Sequence, residues 1–156
     1  MINPVLHHIL SIMGETNNRI LPVGIQSFEK IRKEGLLYVD KTEIIWNLVN
    51  SNKTYNYLSR PRRFGKSLLV DTLQAYFEGR KELFEGLKIM DLEKEWVKRP
   101  VVRLDMSRAG STAHELNAYL NLAFKEYERK YGIEASASDS LSNRFDIIIQ
   151  SAYEQT

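Results

Sequence analysis

The stretch YNYLSRPRRFGKSLLVDTL, residues 55–73, constrains this chain most: an aromatic-rich run feeds a basic turn, and an amphipathic segment reopens across Gly65-Lys66-Ser67. A phosphate-binding loop needs that order: a strand to deliver the chain, a turn with inward-facing N–H groups, and a helix whose positive N-terminus meets the anion. Gly65 would let the backbone approach closely, Lys66 would reach the outer phosphates and Ser67 would ligate Mg²⁺. The first glycine of G-x-x-x-x-G-K-[ST] falls on Arg60, where Pro61 can set the turn by fixing φ instead. Pattern alone leaves three readings open. One is the phosphate loop, and the second is a solvated basic turn ahead of a helix. The third is a nucleic-acid patch, in which Arg60, Arg62, Arg63 and Lys66 hold backbone phosphates while Tyr55 or Tyr57 stacks on a base.

Bulk composition narrows the class without choosing among these. With 43% hydrophobic and 27% charged residues in 156, the chain can bury a core, which argues against disorder. The 22 basic and 20 acidic residues leave a net charge of only +2, so no general attraction to nucleic acid follows from charge. Cysteine is absent, which excludes disulfides, thiolate metal sites and a cysteine nucleophile. His7 and His8 fall in a terminal segment and His114 on an expected helix surface, without ligand spacing. The run from Val5 to Met13 has no basic flank and no cleavage site, so it does not read as a signal peptide. No stretch approaches the roughly 18–20 apolar residues of a bilayer span. A cytoplasmic location is the expectation.

Along the chain, residues 1–20 read as a loose leader. Ser27 caps a helix through Glu34 with Phe28 and Ile31 on one side, and Gly35 closes it. Asp40, three residues before Glu43, has capping-box spacing ahead of a helix carrying Ile44, Ile45, Leu48 and Val49 on one stripe. Tyr55–Ser59 reads as a strand, and Lys66–Glu78 as a helix ended by Gly79. After short turns broken at Gly86, EKEWVKR (93–99) reads as a solvated face and VVRLDMS (101–107) as a buried strand. Thr112 with Glu115 opens a helix that stops near Gly132. IEASASDS (133–140) reads as a linker, and Leu141–Tyr153 as a last helix. The predicted fold class is α/β: a parallel sheet of P-loop NTPase type flanked by helices, incomplete because only two strands are legible.

LPVGIQSFEKIRKEGLLYVDKT followed by YLSRPRRFGKSLLVDTLQAYFEG resembles the opening of the bacterial AAA-ATPase-like family, from Leu21 to the end of the chain. In that family the loop itself reads Arg-Pro-Arg-Arg-Phe-Gly-Lys-Ser, so the resemblance favours the phosphate-loop reading and makes Arg60 a family variant. It implies a P-loop domain over 21–156 that binds ATP with Mg²⁺. Arg62, Arg63, Phe64, Gly65, Lys66, Ser67 and Leu68 would surround the phosphates, and Ser67 would be the metal contact. YVDKT, with Asp40, corresponds to a short box near the adenine in related ATPases. As a helix cap, Asp40 is explained equally well. Members often carry a PD-(D/E)xK-type nuclease domain further along, which implies nucleic acid as a partner through a domain outside this chain.

Hydrolysis needs an acidic pair at the end of an apolar strand. Asp105 in VVRLDMS is the local candidate, but Met106-Ser107 follows it where a second carboxylate is needed. In the resembling family the acidic (Walker B) strand lies beyond a segment like the last helix here. The resemblance therefore implies nucleotide binding without hydrolytic carboxylates in this stretch, and no catalytic residue is assigned.

Overall fold

A computed structural model of the chain describes residues 20–59, 61, 63–134 and 139–155. Arg60, Arg62, residues 1–19 of the leader and residues 135–138 of the expected linker lie outside the described residues. The chain divides into two compact units at the Trp96–Val97 bond.

Among the described residues, the first unit holds α1 (Phe28–Lys33), α2 (Thr42–Val49), α3 (Lys66–Phe77), a 3₁₀ turn over Lys81–Phe84 and the single turn α4 (Ile89–Leu92). α1 forms where expected, with the Ser27 hydroxyl accepting from the Lys30 amide and Gly35 left-handed just beyond. α3 ends as expected too, at a left-handed Gly79 whose neighbour Arg80 donates back to the Ala75 carbonyl. Apolar residues at helical spacing meet in one core, where Phe28 lies 4.9 Å from Phe84 and Phe84 lies 5.1 Å from Trp96. Within 93–99, read as a solvated face, Lys94, Glu95, Val97, Lys98 and Arg99 are exposed, but Trp96 packs into this core and the Glu93 carboxylate accepts from the Tyr76 hydroxyl.

Polar ties fix α1 against its neighbours. Asp71 on α3 accepts from the Phe28 amide at 2.7 Å, and the Arg32 guanidinium donates to the Leu83 carbonyl at 2.8 Å. Glu29 forms a double hydrogen bond with Arg80, whose guanidinium, helped by Lys33, holds the Glu29 carboxyl down at about 2.

The second unit is a helical pair, α5 (Ala113–Tyr131) and α6 (Leu141–Glu154), with Phe124 stacked on Phe145. The Thr112–Glu115 capping box and the left-handed Gly132 bound α5 as expected, and Ser140 caps α6. Between the two helices the Arg144 guanidinium grips Glu128 through two bonds of 2.6 and 3.0 Å, both groups being buried. Arg144 also lies over the Phe124 ring.

The expected parallel sheet is not there: none of the described residues belongs to a strand. A strand is held by its neighbour's N–H and C=O groups, and each of the two expected strands lacks one. Tyr55–Ser59 lies along the surface with Tyr55 and Tyr57 90% and 93% exposed. The β propensity of such residues reflects a half-buried pleated surface, which this segment does not have. In 101–107, the Arg103 and Asp105 amides donate to the Tyr127 and Tyr119 hydroxyls, each at 2.7 Å, and Tyr127 donates back to the Arg103 carbonyl. Phenols thus take the place of a ladder partner, and Met106–Arg108 turns into a short 3₁₀ helix.

Candidate functional site

The basic turn and α3 come first. Gly65 precedes α3 in the left-handed region, with φ at 73°, and Arg63 is left-handed as well, with φ at 68°. A left-handed arginine costs about 1 kcal/mol, and Asn52 and Trp96 share that region at φ 53° and 46°. Left-handed residues in short succession also build the concave N–H arrangements that hold anions. In α3, Leu69 is the first residue to donate within the helix, to the Gly65 carbonyl at 2.9 Å. The amides of Lys66, Ser67 and Leu68 thus precede the helical ladder. No side chain caps this terminus and no acidic residue sits in its first turn, so the local field favours an anion.

Against this turn lies a cavity of about 270 Å³. Phe64, Gly65 and Leu68 line it, and so do Tyr38, Val39 and Lys41. Leu21 and Pro22 line it as well, held by a backbone bond from the Leu37 amide to the Ile20 carbonyl. The YVDKT box and the GKS turn, 24 residues apart at Lys41 and Gly65, therefore border one space. The cavity falls just below the usual small-molecule range of about 300–1,000 Å³, which suits a planar heterocycle better than a whole nucleotide. Burial pushes the Tyr38 hydroxyl pKa up, and that hydroxyl is engaged by Thr72.

Asp40 is placed differently from its neighbours. One carboxylate oxygen accepts from the Thr42 amide at 2.8 Å and the Thr42 hydroxyl at 2.7 Å, and the other accepts from the Lys88 amide at 2.6 Å. The Thr42 hydroxyl, fully buried, accepts in turn from the Ile89 amide. Asp40 caps α2 from one position further out than the capping box required, since Lys41 is the N-cap and Glu43 takes no part in it. Its carboxylate joins the start of α2 to α4.

The other nominated residues fall as follows. Arg63, Lys66 and Ser67 are exposed at the turn, Phe64 stands 62% exposed at the cavity edge, and Leu68 is half-buried within it. Asp105 lies in the second unit, where its carboxylate accepts from the Ser107 hydroxyl at 2.6 Å, which together with the Ser107 amide lowers its pKa. Among the described residues no group of three or more His, Asp or Glu side chains could hold a metal ion, and no helix is long and apolar enough to cross a membrane. Lys41 is the site residue that sequence reasoning missed. The YVDKT box marked its neighbourhood, but only the folded chain shows which of those side chains border the cavity.

The start of α3, without a side-chain cap, thus lies beside a largely apolar cavity. The profile of the AAA-ATPase-like family, described as "Predicted AAA-ATPase", matches residues 22–156, and the chain belongs to that family. It is 49% identical over 86 residues to the "Uncharacterized protein in vnfD 5'region" of Azotobacter chroococcum mcd 1. The match covers 54% of this chain and 16% of that relative, so the chain spans a small part of the relative's length. No solved structure matches the chain.

Proposed function

We propose that the chain binds ATP, with the phosphates at the first turn of α3 and the adenine in the adjoining cavity. The observation that carries this reading is the meeting of the two segments in one space: the left-handed turn at Arg63–Gly65 and the Tyr38–Lys41 box. The family name supports nucleotide binding at the coarser level. In this reading the amides from Arg63 to Leu68 surround the phosphates and the Lys66 ammonium neutralises their charge. The Ser67 hydroxyl is the chain's contact to Mg²⁺, which supplies charge compensation when bound. Arg62 and Arg63 flank the outer phosphates. Asp40 serves the site by fixing the Tyr38–Lys41 wall, since both of its oxygens already have partners within the chain.

The test is the thermal midpoint with and without millimolar Mg²⁺-ATP, run beside Lys66→Ala. Ligand at 100 times its dissociation constant stabilises by about 2.7 kcal/mol, which is several degrees at this size. The expected result is a shift in the parent and none in the variant. Equal shifts in both would remove the phosphate-loop assignment. Binding that weakens steeply with salt and ignores ATP would point to nucleic acid instead.

A further inference from the structure

Among the described residues bordering the cavity, Lys41 alone carries a formal charge; Tyr38 has a polar side chain, and its hydroxyl is engaged by Thr72. The carboxylate closest in sequence to Lys41, Asp40, is committed to Thr42 and Lys88. Among the described residues no ion pair involves Lys41, whereas lysines 30, 33 and 88 each have an acidic partner. Lys41 is also exposed at the start of α2, so its ammonium keeps its hydration until a ligand arrives. An ammonium is a donor only, and it favours an anionic acceptor over a neutral one.

We infer that Lys41 is a second phosphate-reading residue of this site, reaching the nucleotide from the edge of the cavity that Gly65 also lines. The inference rests on the nucleotide reading above. It predicts a division of labour in which the apolar walls hold the ring with little preference for charge. Lys41 then makes affinity depend on the phosphates, and the Asp40–Thr42 cap holds α2 so that Lys41 borders the cavity. A lysine that served only to cover apolar surface with its methylene stem would give no such dependence.

The experiment measures ATP and adenosine dissociation constants by calorimetry for the parent and for Lys41→Met, Lys41→Arg and Lys66→Ala. Methionine retains the stem and removes only the charge, at a surface position where folding is preserved; matching circular dichroism melts check this. The expected result is that Lys41→Met weakens ATP about tenfold, the scale of one hydrogen bond to a charged group, and leaves adenosine within about twofold. Lys41→Arg restores ATP binding to within about threefold. If Lys66→Ala loses ATP but Lys41→Met binds it like the parent, or loses adenosine equally, the role given to Lys41 is overturned and the nucleotide reading stands. If Lys66→Ala binds ATP like the parent, or the parent binds none, the nucleotide reading fails and the inference with it.

Discussion

Asp40 offers the sharpest test of how the site is held, because a residue that caps and a residue that touches ligand fail in different ways. Replacement by alanine removes acceptors from three donors at once: the Thr42 amide, the Thr42 hydroxyl and the Lys88 amide. Two of these bonds are partly buried and the Lys88 bond is exposed, so the three together contribute less than three buried charged bonds would. Allowing about 1 kcal/mol for each of the partly buried pair and a few tenths for the exposed one gives about 2 kcal/mol. For a chain of this size that is about 4–8 °C in the midpoint of the first unit. Thr42→Val leaves the buried Ile89 amide without its 3.1 Å acceptor and costs a similar amount. Because the two side chains share one network, the double variant loses less than the sum of the single losses, with a coupling of about 0.5–1 kcal/mol. The assay is urea unfolding followed at the tryptophans, both of which, Trp46 and Trp96, pack on the first unit's core. Full stability in Asp40→Ala together with lost ATP affinity would refute the capping argument and return Asp40 to direct ligand contact.

Two further predictions concern charge. The Glu29 carboxyl sits at about 2 against an ordinary 4.5, because Arg80 and then Lys33 favour its ionised form. A depressed carboxyl contributes stability that is present above its unfolded value and lost as pH falls through the folded one. The acid side of a midpoint-versus-pH curve should therefore fall between about pH 4.5 and about pH 2, and Glu29→Gln should flatten it. In the second unit, Arg144→Met leaves the buried Glu128 carboxylate unpaired, at a cost of about 3–5 kcal/mol, whereas Glu128→Leu with Arg144→Met recovers most of the loss. Circular dichroism melts of residues 97–156 within the full chain would read both. A single variant as stable as the parent would contradict the pairing.

Local rules made the helices legible. Ser27, Gly79, the Thr112–Glu115 box and Gly132 each act within about one turn of their own helix, and each marks the end that the structure shows. The sheet was misread because strand formation is settled by a partner, and no local signal announces that partner's presence. Alternation in YNYLS and β-branched residues in VVRLDMS say only that those segments could sit in a ladder. The structure gives the first to solvent and the second to two tyrosines 14 and 24 residues further on. The hydroxyls of those tyrosines do the work that a neighbouring strand would have done. Asp40 was misread by one position for the same reason, since the Lys88 amide that engages it lies 48 residues away.

The turn itself shows how far sequence chemistry reaches into the site. A Cβ built at Gly65 meets no other atom of the chain within 4 Å, so within the chain itself what favours glycine there is φ at 73°. Arg63 meets the same requirement without being glycine, and accepts about 1 kcal/mol of strain two residues earlier. A turn selected only to start a helix would spare itself that strain by placing glycine or asparagine at 63 as well. Retaining a guanidinium there makes sense if its charge is used, beside Lys66 and an uncapped helix start whose field already favours an anion. The strained arginine and the helix start without a side-chain cap are thus two local features that a single phosphate group would use together.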